Sequence, residues 1–408
     1  MFTSLLKRIN PIYQKLKTLV DQPHQSVKIK AGFLFIIFAH VSSCHEAISP
    51  QISPSSPYTS LKANTLASDF ALVGVWGQKR IATDTIWVVG GSQSPPKQAI
   101  FKIDQSSNQT PNQTSNQLTK LQSTTILDGE PLWWVFGLDE NKIWATGGQG
   151  TILHYNGTDW QKETVNLPPE LLEKTILWGV WGSTTDNLWA VGGSNRRGGP
   201  KGLILKRDAD GVWQRVTSEN LPIENENDPV QGFNFYKVWG LSESQVWIIG
   251  EAGSAYFWNG ESWRAINVVN PSPNEGPLPL MFTLSGDAQN IWAVGGYDRG
   301  YLWKFSIGMA NDWENVTLPW QTPPLNGVFA NDQEIYMVGG SGSLIYRKNE
   351  ENSQFQRTFI QNAEDLTLHA VWKGHQLWIV GGDLEAFNRG VLVSEQSIVL
   401  NSEQNNNE

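Results

Sequence analysis

Cysteine is all but missing: Cys44 stands alone in 408 residues, which excludes a disulfide framework and a zinc site built from cysteine pairs. Beyond His45 only His154, His369 and His375 remain. Their spacing fits neither a metal site nor a Ser-His-Asp triad, and each reads as a strand or turn residue. No phosphate loop or dinucleotide-binding glycine pattern occurs, and Gly340-Ser341-Gly342 is too short for a nucleophile elbow. Long apolar runs are lacking too: the run inside residues 28–44 holds about a dozen apolar residues, short of what a bilayer-spanning helix needs. Basic charge is outnumbered, 30 Lys and Arg against 39 Asp and Glu for a net charge of -9, so no nucleic-acid partner is expected. The acidic loop 224–228 (ENEND) matches no calcium-loop spacing. No cofactor and no metal follow from this inventory.

What is abundant is glycine, at 38 residues, and tryptophan, at 20. Many of them fall in one recurring hexapeptide: 86–91 (IWVVGG), 143–148 (IWATGG), 188–193 (LWAVGG), 246–251 (VWIIGE), 291–296 (IWAVGG), 335–340 (IYMVGG) and 377–382 (LWIVGG). Each copy sits second among four short β-like runs, A to D, separated by Gly, Asn and Asp turns. The A runs are 73–77, 133–137, 178–182, 236–240, 281–286, 327–330 and 369–373. Equivalent aromatics recur every 42 to 58 residues, from Tyr336 to Trp378 at the shortest and Trp189 to Trp247 at the longest. Four antiparallel strands at that period are the signature of a propeller blade. The B run is apolar on both faces and must lie between neighbouring blades. The expected fold is therefore all-β, a seven-bladed β-propeller over residues 67–401, with residues 402–408 as a disordered tail. A polar insert at 105–117 reads as a disordered surface loop of blade one. The last blade takes its D strand either from 397–400 or from the N-terminal stretch 58–62, and the sequence leaves both open.

Residues 1–43 read as a signal region: a basic start near Lys28, an apolar run, then small residues. The tetrad Val41-Ser42-Ser43-Cys44 resembles a bacterial lipobox, which implies lipidation of Cys44; a cut secretory signal with a free cysteine is the alternative. The lead of residues 1–26 is longer than a signal needs, so a start near Val27 is a further expectation. Residues 44–66 are rich in Pro and Ser and read as a tether. Export and lipid anchoring to the cell envelope are expected, at the outer membrane if the cell is Gram-negative.

The repeats resemble those of bacterial exported propellers with VWG and WAVG motifs, and more distantly the Asp-box propellers, which include sialidases and the photosystem II stability-factor group. The best-matching stretches are 150–157 running to Trp160 and Asn259-Gly260 running to Trp263, at the C-to-D turn where an Asp-box lies. The Ser and Asp of the full pattern are missing, and Asn156 and Asn259 stand where the turn needs an acceptor. Such turns are structural in the family, so the resemblance implies fold rather than activity.

Because successive strands alternate direction, the B-to-C and D-to-A connections share one face. The longer B-to-C loops carry Lys97, Arg196, Arg197, Lys201, Arg299 and Arg389, with Tyr297 and Phe387 beside them. Guanidinium forks suit a carboxylate, sulfate or phosphate, and the two rings suit stacking on a sugar. The other reading is a set of solvated cations neutralised locally by Asp298, Asp383 and Glu385. Trp160, Trp213, Trp263 and Trp313 open the D runs in register, which packing explains better than sugar stacking. The expected function is that of a monomeric, non-catalytic propeller presenting this face to a protein or a glycan, including an anionic ligand over the channel. The alternatives are a sialidase-like glycoside hydrolase, which needs shifted carboxylates beneath the arginines, and a lectin with one sugar site per pair of blades. The differing loops count against the lectin.

Overall fold

A B strand that is apolar on both faces cannot face water on either, and in the structure none does. Strand 187–193 is buried at every position, and 377–382 likewise. The computed structural model describes residues 61, 69–81, 83–107, 117–216, 233–271, 279–350, 353–395 and 398–399. The chain divides into two units, Met1–Cys44 and His45–Glu408, and the described residues belong to the second. The readings placed on residues 1–60, on loop 224–228 and on tail 402–408 fall outside the described residues.

The strands group into seven sheets. Blade one holds β1 (Ala71–Lys79), β2 (Asp84–Gln93), β3 (Pro96–Ser107) and β4 (Gln117–Asp128). Blade two holds β5 (Leu132–Asp139), β6 (Lys142–Gly147), β7 (Ile152–Tyr155) and β8 (Trp160–Lys162), followed by β9 (Val165–Asn166). Blade three holds β10 (Ile176–Thr184), β11 (Asn187–Gly193), β12 (Leu203–Arg207) and β13 (Trp213–Arg215). Blade four holds β14 (Phe235–Ser242), β15 (Gln245–Gly250), β16 (Ala255–Trp258) and β17 (Trp263–Ala265). Blade five holds β18 (Met281–Gly286), β19 (Asn290–Gly295), β20 (Tyr301–Ser306) and β21 (Glu314–Val316). Blade six holds β22 (Leu325–Ala330), β23 (Glu334–Gly339), β24 (Ser343–Lys348) and β25 (Gln356–Phe359). Blade seven holds β26 (Thr367–Lys373), β27 (Leu377–Gly382) and β28 (Gly390–Ser394), and β29 (Ile398–Val399) ends the described chain. Consecutive strands within a blade pair antiparallel. The first strands touch in the order β1, β5, β10, β14, β18, β22, β26 and back to β1, so the ring is closed. The protein is a seven-bladed β-propeller.

The recurring Val-Trp-Gly triplet of the inner strands has a packing cause. The valine enters the blade core, as Val75, Val180 and Val238 do. The tryptophan leans across the next blade and needs a residue without a side chain beneath it. A Cβ on Gly137 would come within 2.6 Å of Trp76, one on Gly240 within 2.7 Å of Trp181, and one on Gly77 within 2.8 Å of Trp372. The last of these contacts joins blade seven to blade one. The glycine after the B-strand valine is fixed by the inner strand's backbone: a Cβ on Gly90 would lie 1.9 Å from the Ala71 carbonyl oxygen, and one on Gly192 would lie 2.0 Å from that of Ile176.

Blades are also laced at their outer edge. After its fourth strand the chain crosses to pair in parallel with the outer strand of the following blade, Val165 opposite Trp213 and Val268 opposite Trp313. The two chain ends use this device. Ile398 and Val399 pair with Thr119 and Lys120 of β4, so the C-terminal candidate for closing blade seven joins blade one instead. Leu61 takes up the outer position of blade seven: its carbonyl accepts from the Gln361 N–H (3.2 Å), as that of Trp313 accepts from Val269 (2.9 Å). Its side chain, 6% exposed within the stretch read as a tether, packs among Ile360, Ala363, Val391 and Val393. In blade one the hairpin runs further than the polar composition suggests, since Ser107 pairs with Gln117; the centre of that insert, 108–116, lies outside the described residues. The D-strand tryptophans are packing groups: Trp213, Trp263 and Trp313 are buried. At the C-to-D turns Asn156 accepts from the N–H of Thr158 and Asp159, and Asn259 from those of Glu261 and Ser262.

Candidate functional site

Each inner strand slips register by one residue at the same place, near its entry from the D-to-A connection. The slips fall at Leu72/Gly74, Leu132/Trp134, Leu177/Gly179, Phe235/Lys237, Met281/Thr283, Leu325/Gly327 and Leu368/Ala370. A bulge re-aims the extra side chain away from the sheet. The extra residues are Val73, Trp133, Trp178, Tyr236, Phe282, Asn326 and His369. Blades two to five thus contribute aromatic rings, and neighbouring ones meet: Trp178 and Tyr236 at 5.2 Å between centroids, Tyr236 and Phe282 at 5.4 Å. The result is an aromatic wall along one side of the channel mouth, with Asn326 and His369 opposite.

Glu251 stands above this wall. It takes the place of the second glycine in the blade-four hexapeptide. Its Oε1 accepts from the Tyr236 hydroxyl (2.8 Å) and from Asn234 Nδ2 (3.1 Å), and its Oε2 accepts from the Asn234 backbone N–H (2.9 Å). Asn234 is fully buried and ties the group to blade three, its Oδ1 accepting from the Ser194 N–H and its Nδ2 donating to Asn195. Burial pushes the Tyr236 phenol well above its ordinary range, and the Glu251 charge and hydrogen bond add to that. Tyr297 is raised in the same way, by burial and then by Glu251. Both phenols therefore stay protonated donors.

Below the wall lies Lys237, whose position in other blades is Gly74, Gly179, Gly327, Ala370, Thr283 or, in blade two, Trp134. A Cβ at Gly179 already meets the Lys237 Cα at 3.2 Å, a close approach of neighbouring inner strands that favours a small residue there. The Lys237 ammonium donates to the Trp178 carbonyl (3.3 Å) and sits 3.2 Å from the Trp134 ring centroid. Burial drives its pKa well below the lysine range.

The residues singled out from the sequence are dispersed around this centre. Lys97 pairs with Asp128, whose carboxyl is lowered by that hydrogen bond and charge. Arg196 donates to the Glu173 carbonyl (3.2 Å), and Arg197 is exposed. Arg299 donates to the Tyr301 hydroxyl (2.6 Å) and stacks on its ring, while Arg389 pairs with Asp365 (2.6 Å). Asp383 serves its own turn, accepting from the N–H of Glu385 and Ala386. Tyr297 is 50% exposed beside Glu251. Phe387 is 1% exposed, with φ of 53°, and packs edge-on against Trp133 at 5.9 Å. Its ring is part of the mouth's wall rather than an open stacking surface. The geometry thus gathers Tyr297 and Phe387 with the aromatic extras, and leaves Lys97, Arg196, Arg299 and Arg389 each on a partner near its own loop.

Glu251 carried a visible signal, the single break in the paired glycines. The aromatic extras carried one too, preceding the Val-Trp-Gly triplet by two residues in blades three and four and its Val-Phe-Gly counterpart in blade two.

His154 lies flat on Trp144 (4.4 Å, 1°) and His375 Nε2 is 2.7 Å from the Arg80 carbonyl oxygen. Among the described residues no group of three His, Cys, Asp or Glu is placed to hold a metal, and no helix is long and apolar enough to cross a membrane. Among them, too, the carboxyl raised by burial is Asp84, at the opposite end of the ring, where it accepts from the N–H of His375 and Gln376.

No protein-family model matches the sequence, and no curated protein matches it. By structure the chain is similar to YCF48 from Cyanidioschyzon merolae, with a TM-score of 0.53 and 13% identity over 81% of this chain and 98% of that one. It is similar as well to the WD40 β-propeller domain of Doa1, at a TM-score of 0.51 and 11% identity over 83% and 96%. A structure of YCF48 bound to D1 peptide aligns at 0.44 and 16% identity over 62% and 74%. At such identities the likeness is one of fold, and the class it defines is the β-propeller.

Proposed function

We propose that this protein is a non-catalytic binding propeller, held at the cell envelope by a lipid on Cys44, whose channel mouth receives a segment of a partner protein. The observation that carries the binding reading is the run of touching rings Trp178, Tyr236 and Phe282, with half-exposed Tyr297 beside Glu251. Rings presented at a concave mouth are the usual anchors of a recognition surface. Support for the anchor lies in residues 28–44 and the lipobox-like tetrad.

Peptide and glycan arrays probed with the protein and with a Tyr297→Ala variant test the binding reading. Peptide binding weakened at least about tenfold by the substitution is expected, the loss of a central aromatic anchor. Binding to glycans alone, or peptide binding indifferent to Tyr297, would overturn it. For the anchor, Cys44→Ser should move the protein from the membrane fraction to the soluble fraction; an unchanged distribution would remove that part.

A further inference from the structure

We infer that the blade-four sector of the mouth is a receptor for an organic cation, a lysine ammonium or arginine guanidinium presented by the partner; this rests on the proposed binding role of the mouth. Four observations converge on Glu251. Its position is crowded in blades three, five and seven, where a Cβ on Gly193 would lie 2.1 Å from Asn234 Oδ1, one on Gly296 would lie 1.8 Å from the Arg299 carbonyl oxygen, and one on Gly382 would lie 2.5 Å from that of Arg389; in blade six a Cβ on Gly340 would meet only Pro323 Cβ, at 3.0 Å. Blade four alone of the seven sets a side chain here, and that side chain is a carboxylate.

Second, the three donors that hold the carboxylate, one phenol and two amide N–H groups of Asn234, are all neutral. They orient the charge without cancelling it, and among the described residues no Lys or Arg forms an ion pair with Glu251. A carboxylate offers about four acceptor sites, so these three bonds leave one, on Oε2, for a ligand. Third, the surroundings are π faces. Tyr236, Phe282 and Trp178 form the wall, and Tyr297 stands close enough for the Glu251 charge to act on its phenol. Ring faces attract ammonium and guanidinium groups, and a carboxylate at their edge supplies the counter-charge. Fourth, the nearby cations are turned to other partners. Arg299 lies on Tyr301, Arg196 on the Glu173 carbonyl, and Lys237 beneath the wall on the Trp178 carbonyl.

The test titrates the purified full chain with three blocked tripeptides, acetyl-Gly-X-Gly-amide with X as lysine, arginine or norleucine, by calorimetry and ligand-observed NMR. At least about tenfold tighter binding of a charged peptide than of the norleucine peptide is expected, the scale of one ion pair backed by ring contacts. Lysine and arginine arms rank the two cations. Glu251→Gln keeps the shape and one acceptor oxygen, for the Tyr236 hydroxyl and Asn234 Nδ2, gives up the bond from the Asn234 N–H together with the charge, and should erase the preference. Equal binding of all three peptides by the wild type, preference surviving Glu251→Gln, or no binding of any would overturn the cation site. Since the first of these comparisons needs no variant, a folding defect in Glu251→Gln cannot mask the answer. Neutral peptides that still respond to Tyr297→Ala would leave the mouth standing as a binding face without its cation site.

Discussion

His369 shows what a single inward-aimed residue costs. It is fully buried at the mouth, its Nε2–H donating to the Gly382 carbonyl (3.1 Å). Burial pulls its pKa from 6.5 to about 4, against the opposing pull of Gly382 and Asp383. The unfolded chain therefore takes a proton near pH 6.5 that the folded chain refuses until about pH 4. Stability from this group is complete above pH 6.5 and drains away as the pH falls towards 4, by about 3 kcal/mol at the end. His369→Asn, the residue that blade six uses at Asn326, should flatten that slope. Urea melts at pH 7.5 and 4.5 check it: the variant is expected to lose about 2 kcal/mol less than the wild type across the interval. Glu163 acts in a lower window. Burial alone would raise it, but hydrogen bonds from His154, Arg207 and Trp213 hold it at about 2, so its contribution fades only below pH 4.5. At this scale the sequence was partly legible. Glu251 occupies a place where every sister repeat carries glycine, and Lys237 one where four of the six carry glycine or alanine, yet a repeat reading weighs what recurs and passes over what breaks it. The arginines were visible as a set, but their partners, such as Asp365 and the Glu173 carbonyl, come from D-to-A connections whose return to the same edge is a property of the fold.

Strands were legible where side-chain pattern alone decides them. The B strands, apolar on both faces and closed by glycine, match the hexapeptides closely. Inner strands are longer than their readable cores. Alternation begins at Val73, Trp133, Trp178 and Tyr236, yet the strands start at Ala71, Leu132, Ile176 and Phe235. The bulge inserts one residue, which shifts the two-residue period and hides the upstream part. Outer strands split for a similar reason: Trp160 and Val165 belong to one sequence run but pair with different blades. Leu61 lies in the stretch 58–62, one of the two candidates for closing blade seven, and no period in the sequence chose between them. Its burial among Ile360, Val391 and Val393 makes it a fastener of blade seven. Leu61→Ala should cost about 2 to 4 kcal/mol, as core leucine truncations do. Thermal melts read the loss, and hydrogen exchange should locate the new opening in β26 to β28. A loss under about 0.5 kcal/mol would mean that the segment lies on the blade without closing it.

At the scale of the molecule, closure gives the ring two unlike ends. The seam between blades seven and one is held at one end by Trp372 over Gly77 and by Asp84 receiving the His375 and Gln376 N–H groups. The other end carries the bulged rings, Glu251 and Tyr297, and there the blades depart most from one another. Uniform packing below and individual residues above is the division expected when a repeat scaffold serves one asymmetric ligand. The most direct measurement places the photo-cross-linking residue p-benzoylphenylalanine at position 297, and in a second sample at position 186, in the exposed turn between β10 and β11 at the far end. Each sample is irradiated with a peptide selected on the array. The account predicts cross-linking at 297 and none at 186; equal yields at both ends, or a product at 186 alone, would contradict it.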